Sequence, residues 1–253
     1  MGRTKLNSGQ GKVLLRTVIP AAILLALAAQ PGWCQFAISG HVTNDVATPI
    51  NNVTIVLYDE TGAQISIPAT TTDSNGDYVI SGVPSGTYGV GFEPRVSDKL
   101  VAQTVAPVVV SGNTIVNATL APGNFLTGFV RDSLGIGLPD IDLNVYDQAT
   151  GVKYVTPSDN TDATGAYKIV VPTGTLRVRY RDVSGLPRIP VENQNVIVTT
   201  DLNIDITMYY GVFLSGTVSN SLSAPVASVN MDVVNSVTGL TVFTPSDITD
   251  AAG

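Results

Sequence analysis

One cysteine, one histidine and one tryptophan stand in a chain of 253 residues, and only 13% of the side chains are charged. With Cys34 alone, no disulfide can form within the chain, so any folded part rests on its apolar cores. With His41 alone, a serine nucleophile has no other imidazole to act as its base. A glycine-rich phosphate loop and a recurring acidic pair are also missing, and together these absences argue against an enzyme. No cofactor is expected. After residue 35 no stretch keeps an apolar period of 3.6 residues, so little helix is expected.

The first 34 residues differ from the rest. Arg3, Lys5, Lys12 and Arg16 precede an uncharged apolar run over 17–29, which is 13 residues long. A spanning helix needs about 20 such residues, so 1–34 reads as a secretory signal peptide. Cleavage is expected after Ala28 or after Cys34, with Cys34 favoured; Trp33 is too large for the position before a lipidated cysteine. All 20 acidic residues but only 9 of the 13 basic ones lie beyond residue 35, so that portion carries −11. This charge excludes nucleic acid as a partner. Contact with a membrane is expected only through the leader.

What is present is a repeat. Gly-x-Val recurs at Gly40, Gly128 and Gly216, each 88 residues from the last. Alternating apolar runs follow in register: Val53, Ile55, Leu57 and Tyr58, then Ile141, Leu143, Val145 and Tyr146, then Val229, Met231 and Val233. Next come Thr72-Asp73-x-x-Gly76, Thr161-Asp162-x-x-Gly165 and Thr249-Asp250-x-x-Gly253. The first copy continues with Tyr78 and Pro84-x-Gly86-x-Tyr88, the second with Tyr167 and Pro172-x-Gly174-x-Leu176. The domains read as module 1 at 36–120, module 2 at 124–208 and a truncated module 3 at 212–253. The third copy, stopping in a turn, is expected to have an open core and to belong to a longer protein.

Seven strands are expected in the first copy, at 38–42, 52–58, 64–67, 77–81, 87–92, 100–110 and 114–120, the sixth broken by Pro107. Period-two alternation buries one face of each, which predicts an all-β fold of tandem seven-stranded antiparallel sandwiches. The linkers 120–124 and 208–211 are short, which limits the angle between modules. Adjacent edge strands could also pair across them.

These motifs resemble the carboxypeptidase regulatory-like domain family, over 36–120, 124–208 and part of the third copy. The resemblance implies a transthyretin-like (prealbumin-like) sandwich. It also implies an accessory, spacer or adhesive role in an exported bacterial protein, not peptidase activity. A carboxypeptidase zinc site needs two histidines, and His41 is replaced by Phe129 and Thr217 in the other copies. The related collagen-adhesin B-type modules carry a lysine near their first strand for an isopeptide bond. Lys99, Lys153 and Lys168, the lysines beyond the leader, do not fall there. The alternative is a carbohydrate-binding accessory module of a larger secreted enzyme or outer-membrane receptor.

Three features could bind something. Asp73, Asn75 and Asp77 have the oxygen spacing that opens a calcium loop, but equally suit a turn cap; no further metal site is expected. Arg177, Arg179 and Arg181 alternate on one strand, either as a solvated face or as a seat for an anionic polysaccharide. The first copy has Thr87, Gly89 and Gly91 there and no arginine. Tyr58 and Tyr146 share a repeat position on the outward face, where they either pack or stack on a ligand. The residues name no partner; the classes that such features would suit are an extracellular polysaccharide or a surface protein.

Overall fold

The chain is described here by a computed structural model covering residues 35–239, 241–244 and 247–253. The leader expected over 1–34 lies outside the described residues.

Alternating apolar residues make the first sandwich from β1 (Gln35–Asn44), β2 (Thr54–Tyr58), β3 (Gln64–Thr71), β4 (Asp77–Pro84), β5 (Gly86–Glu93), β6 (Gln103–Val110), β7 (Thr114–Ile115) and β8 (Ala118–Leu120). One sheet has the order β4-β1-β7, with β8 also on β1, and the other β3-β2-β5-β6. Ile38 and Val42 face Val53, Ile55, Leu57, Val90 and Phe92 across the core. The second sandwich repeats this with β9 (Asn124–Arg131), β10 (Ile141–Asp147), β11 (Ala166–Val171), β12 (Gly174–Asp182), β13 (Val191–Val198), β14 (Leu202–Asn203) and β15 (Ile206–Thr207). Its sheets are β11-β9-β14, with β15 also on β9, and β10-β12-β13. Leu126, Ile141, Leu143, Ile169, Val178 and Tyr180 fill the second core.

Three features differ from the expected antiparallel, seven-stranded plan. The closing strands β7 and β8 run parallel to β1, as β14 and β15 do to β9. After β6 the chain reverses and crosses to the other sheet, which gives it the direction of β1. The second sandwich also lacks a regular third strand. Lys153 and Asn160 form only isolated bridges to Tyr146 and Asp142, around Pro157 and a left-handed Ser158 (φ 54°). Finally, β6 runs on through Pro107 as an edge strand, but its ladder to β5 shifts register there: Val90 pairs with Val105 and Tyr88 with Val108, so Ala106 and Pro107 form a bulge, where a missing N–H is tolerated.

The Gly-x-Val signature is explained by the closing strand. A Cβ on Gly40 would overlap the carbonyl oxygen of Val116, between β7 and β8. The Tyr78 hydroxyl donates to that same carbonyl at 2.7 Å. The second copy is identical in kind: a Cβ on Gly128 would overlap the Ile204 carbonyl, and the Tyr167 hydroxyl donates to that oxygen at 2.6 Å. Flanking amides of the first strand find side chains on the closing strand. Ala37 and His41 N–H donate to Asn113 and Asn117 Oδ1 at 3.0 and 2.9 Å. Phe125 and Phe129 N–H donate to Asp201 and Asp205 Oδ1, both at 2.9 Å. Glycine, tyrosine and closing strand are thus one packing unit.

The Thr-Asp-x-x-Gly motif is a second unit. Thr72 Oγ1 donates to the Ile50 carbonyl at 2.6 Å and accepts from Val53 N–H at 3.0 Å, which satisfies a buried hydroxyl in full. Thr161 does the same with Leu138 and Ile141, and Thr249 with Val226 and Val229. The closing glycines have φ of 79°, 80° and 82°, which a side chain would strain. The third copy therefore keeps this turn. Its only ladder among the described residues joins β16 (Val233–Val234) to β17 (Thr241–Val242). Phe213 and Leu214 are 77% and 84% exposed, and nothing lies within 4 Å of a Cβ placed on Gly216.

Tyr78→Phe in the full chain is expected to cost about 1–3 kcal/mol in chemical denaturation, because a buried carbonyl loses its donor. Gly40→Ala should cost about 3 kcal/mol or more, because the added methyl must displace backbone. Burial raises the Tyr78 hydroxyl and pushes Tyr167 up to about 12. Unfolded tyrosine ionises near about 10, so this stability is complete below that pH and is lost above it. Titration followed by absorbance and circular dichroism should show late tyrosine ionisation coinciding with unfolding.

Candidate functional site

The calcium candidates sit in the turn between β3 and β4. Asp73 Oδ1 accepts from Asn75 N–H at 2.8 Å and Asp77 N–H at 2.9 Å. The Asp77 carboxylate lies 2.9 Å from His41 Nδ1 on the exposed rim. Asp162 and Asp132 cap turns in the same way, and so do Asn44 and Asn220. Asparagine in this role shows that the turn uses an oxygen and not a charge. Among the described residues, no three His, Cys, Asp or Glu side chains are grouped to hold a metal.

The arginine stripe lies on the outer face of β12, and it is internally paired. Arg179 Nε donates to Glu192 Oε2 on β13, and Arg177 Nε lies 3.9 Å from the same oxygen. Arg181 reaches within 3.9 Å of Asp142. The guanidinium carbons of Arg177 and Arg179 lie 4.9 and 5.0 Å from the Tyr146 ring centre. Arg179 also stands 4.5 Å from the ring of Phe243 in the third copy. Tyr146 is therefore packed under cations. Burial works against the Glu192 carboxylate, but Arg179 and Gln194 overcome it and hold its pKa below the usual range.

Strand pairing corrects the comparison between copies. Tyr58 pairs with Gly89 and Tyr146 with Arg177, so the mates of Arg177, Arg179 and Arg181 are Gly89, Gly91 and Glu93; Thr87 is not among them. Tyr58 lies against these two glycines, its ring edge touching the space a Gly91 side chain would fill. Its hydroxyl is 3.4 Å from Glu93 Oε1. This face opens into a cleft of about 610 Å³, whose far wall is the irregular segment 153–159 of the second sandwich. Two of its carboxyls are raised by burial: Glu93, and Asp159, whose Oδ2 accepts from Thr156 Oγ1 at 2.6 Å. Tyr154 stands on the same wall. Glu93, Tyr154 and Asp159 carry no motif; only the glycines opposite a tyrosine hint at an open face in the sequence.

The joint between sandwiches is built, not slack. Leu100 bridges to Pro122; Val101 N–H donates to the Ala121 carbonyl at 2.9 Å, and Gly123 N–H to the Lys99 carbonyl at 2.8 Å. Exactly one repeat later, Arg188 bridges to Tyr210, Ile189 N–H donates to Tyr209 at 2.8 Å, and Gly211 N–H to Pro187 at 2.6 Å. The linker thus pairs with the connection leading out of β5 or β12. Lys99 Nζ then lies 2.8 Å from Asp201 and 5.1 Å from the Phe125 ring centre, both in the second sandwich. The hydrogen bond from Lys99, with that from Phe125 N–H, holds the Asp201 carboxyl below its usual pKa.

Residues 37–121, the first sandwich, match the model of the carboxypeptidase regulatory-like domain. No curated protein matches the chain. Similar solved structures include the TIE protein of Bacillus anthracis, at 13% identity and a TM-score of 0.30, over 70% of this chain and 34% of that one. A streptococcal ancillary pilin has the same identity and score, over 72% of this chain and 64% of its own. The shaft pilin SpaA of Lactobacillus rhamnosus GG again gives 13% and 0.30, over 72% of this chain and 99% of its own. This chain thus spans about a third of the first of these structures.

Glu192→Gln is expected to destabilise the second sandwich by about 1.5–3 kcal/mol, because two half-buried guanidinium groups lose their shared carboxylate. Chemical denaturation with Glu192→Asp as a partial rescue checks this.

Proposed function

We propose that the chain is a non-catalytic exported repeat protein with a structural role at a bacterial cell surface, as a spacer or adhesive array. One observation carries this reading: the joint recurs with the repeat. After both sandwiches the same three linker residues make the same backbone contacts with the same three residues of the preceding sandwich's connection. A repeat that conserves how one sandwich hands over to the next suits an array whose spacing matters. The other recurring residues support it too, since Gly40, Tyr78, Thr72 and Asp73 and their mates serve backbone contacts. The partners that fit this role are surface proteins or extracellular polysaccharides. The high acidic charge beyond the leader speaks against nucleic acid.

Two measurements on the full chain test the reading. Glycan-array binding is expected to show no saturable ligand. Deleting one 88-residue repeat is expected to shorten the distance between fluorophores at residues 35 and 253 while leaving the remaining sandwich folded. Saturable glycan binding lost in a Tyr58→Ala, Tyr146→Ala variant would favour the carbohydrate-binding alternative.

A further inference from the structure

The two sandwiches treat one outer face in opposite ways. In the second, Tyr146 is covered by Arg177 and Arg179, which share the carboxylate of Glu192. In the first, the positions of those arginines are Gly89 and Gly91. The tyrosine remains and the cations are gone. The third position of the stripe is reversed in sign, Glu93 standing where the second copy has Arg181. The result is the cleft of about 610 Å³ beside Tyr58, a volume in the range of about 300–1,000 Å³ usual for ligand sites. Four carboxylates line it (Asp59, Glu60, Glu93 and Asp159) against the one ammonium of Lys153.

We propose that this cleft binds a guanidinium or ammonium group on an aliphatic stem, such as an arginine or lysine side chain of a partner polypeptide, seated on Tyr58 between Glu93 and Asp159. The second sandwich shows the chemistry with its own side chains: tyrosine ring, guanidinium and carboxylate in contact. The first offers the ring and the carboxylates without the cation. Both carboxylates are partly buried, and the Tyr58 hydroxyl on Glu93 and Thr156 and Lys153 at Asp159 offset only part of that desolvation, so an incoming cation offsets more of it. An anion would meet the four carboxylates, and a neutral group would leave Glu93 partly buried without a counter-charge. Segment 153–159 makes the cleft two-walled, because the second sandwich lacks the flat third strand that β3 provides in the first.

The test uses the full chain in calorimetric or NMR titrations. The probes are agmatine, a blocked arginine tripeptide and the same tripeptide with citrulline, which keeps the shape and removes the charge. Agmatine and the arginine peptide should bind saturably, and the citrulline peptide should not. Arginine peptide binding tenfold or more tighter than agmatine identifies a polypeptide source; equal binding identifies a free amine. Gly89→Arg supplies the chain's own guanidinium, as in the second sandwich, and should abolish binding of both. A Cβ at Gly89 would stand 3.3 Å from Thr104 Cγ2, a tight contact that the threonine methyl must relieve by a small shift, so the unfolding midpoint is measured alongside. If it does move, Glu93→Gln carries the comparison, with an expected loss of about tenfold. The proposal is overturned if neither cation binds, if the citrulline peptide binds equally well, or if binding survives Glu93→Gln unchanged.

Discussion

The structure depends on a backbone carbonyl laid against a glycine. Where the closing strand passes Gly40 or Gly128, no side chain fits between the two backbones, and a tyrosine from the neighbouring strand takes the carbonyl. That contact closes the sandwich, because β7 and β8 are short and have only β1 to pair with. Two asparagines in the first sandwich and two aspartates in the second supply acceptors where the parallel ladder leaves amides open. A protein with one cysteine has no intrachain disulfide to hold such a strand. Here close approach and hydrogen bonds to buried groups do it.

The joint inherits its position from this closure. β8 ends at Leu120, and the next three residues form the linker, so the place where the closing strand is pinned fixes where the linker starts. The linker then pairs with the connection after β5, and Lys99 on that connection reaches Asp201. Asp201 itself accepts from Phe125 N–H in the second sandwich's own closure. One carboxylate therefore serves both the closure of the second sandwich and its attachment to the first. Any chain that repeats the closure at a fixed period can repeat the joint, which is what Arg188, Ile189 and Tyr210 do.

Much of this was legible in the sequence, and the boundary has a physical basis. Gly40, Tyr78 and the Thr72–Gly76 turn stand out because each performs a backbone task that few residue types can. The inward positions Val53, Ile55 and Leu57 stand out because burial on one sheet face imposes a period of two. The parallel closing strands were not legible, since strand direction depends on which sheet the chain crosses to. The loss of the third strand in the second sandwich hangs on the local geometry of Pro157 and Ser158, which alternation does not report. The cleft was least legible of all. Glu93 and Asp159 are 66 residues apart in separate repeats, and only the joint brings them to one cavity.

The repeats conserve their cores and joints and diverge on the outer face of the sheet that carries Tyr58 and Tyr146, where one copy has Gly89, Gly91 and Glu93 and the other Arg177, Arg179 and Arg181. Variation there changes neither closure nor spacing, so it is free to serve contacts with other molecules. The central claim is that closure and joint together fix one sandwich against the next. Residual dipolar couplings measured across both sandwiches in one alignment medium test it most directly. The account predicts a single alignment tensor fitting residues 35–120 and 124–208 together, and separation of the two tensors in Lys99→Ala combined with Gly123→Val. Two independent tensors in the unaltered chain would contradict it.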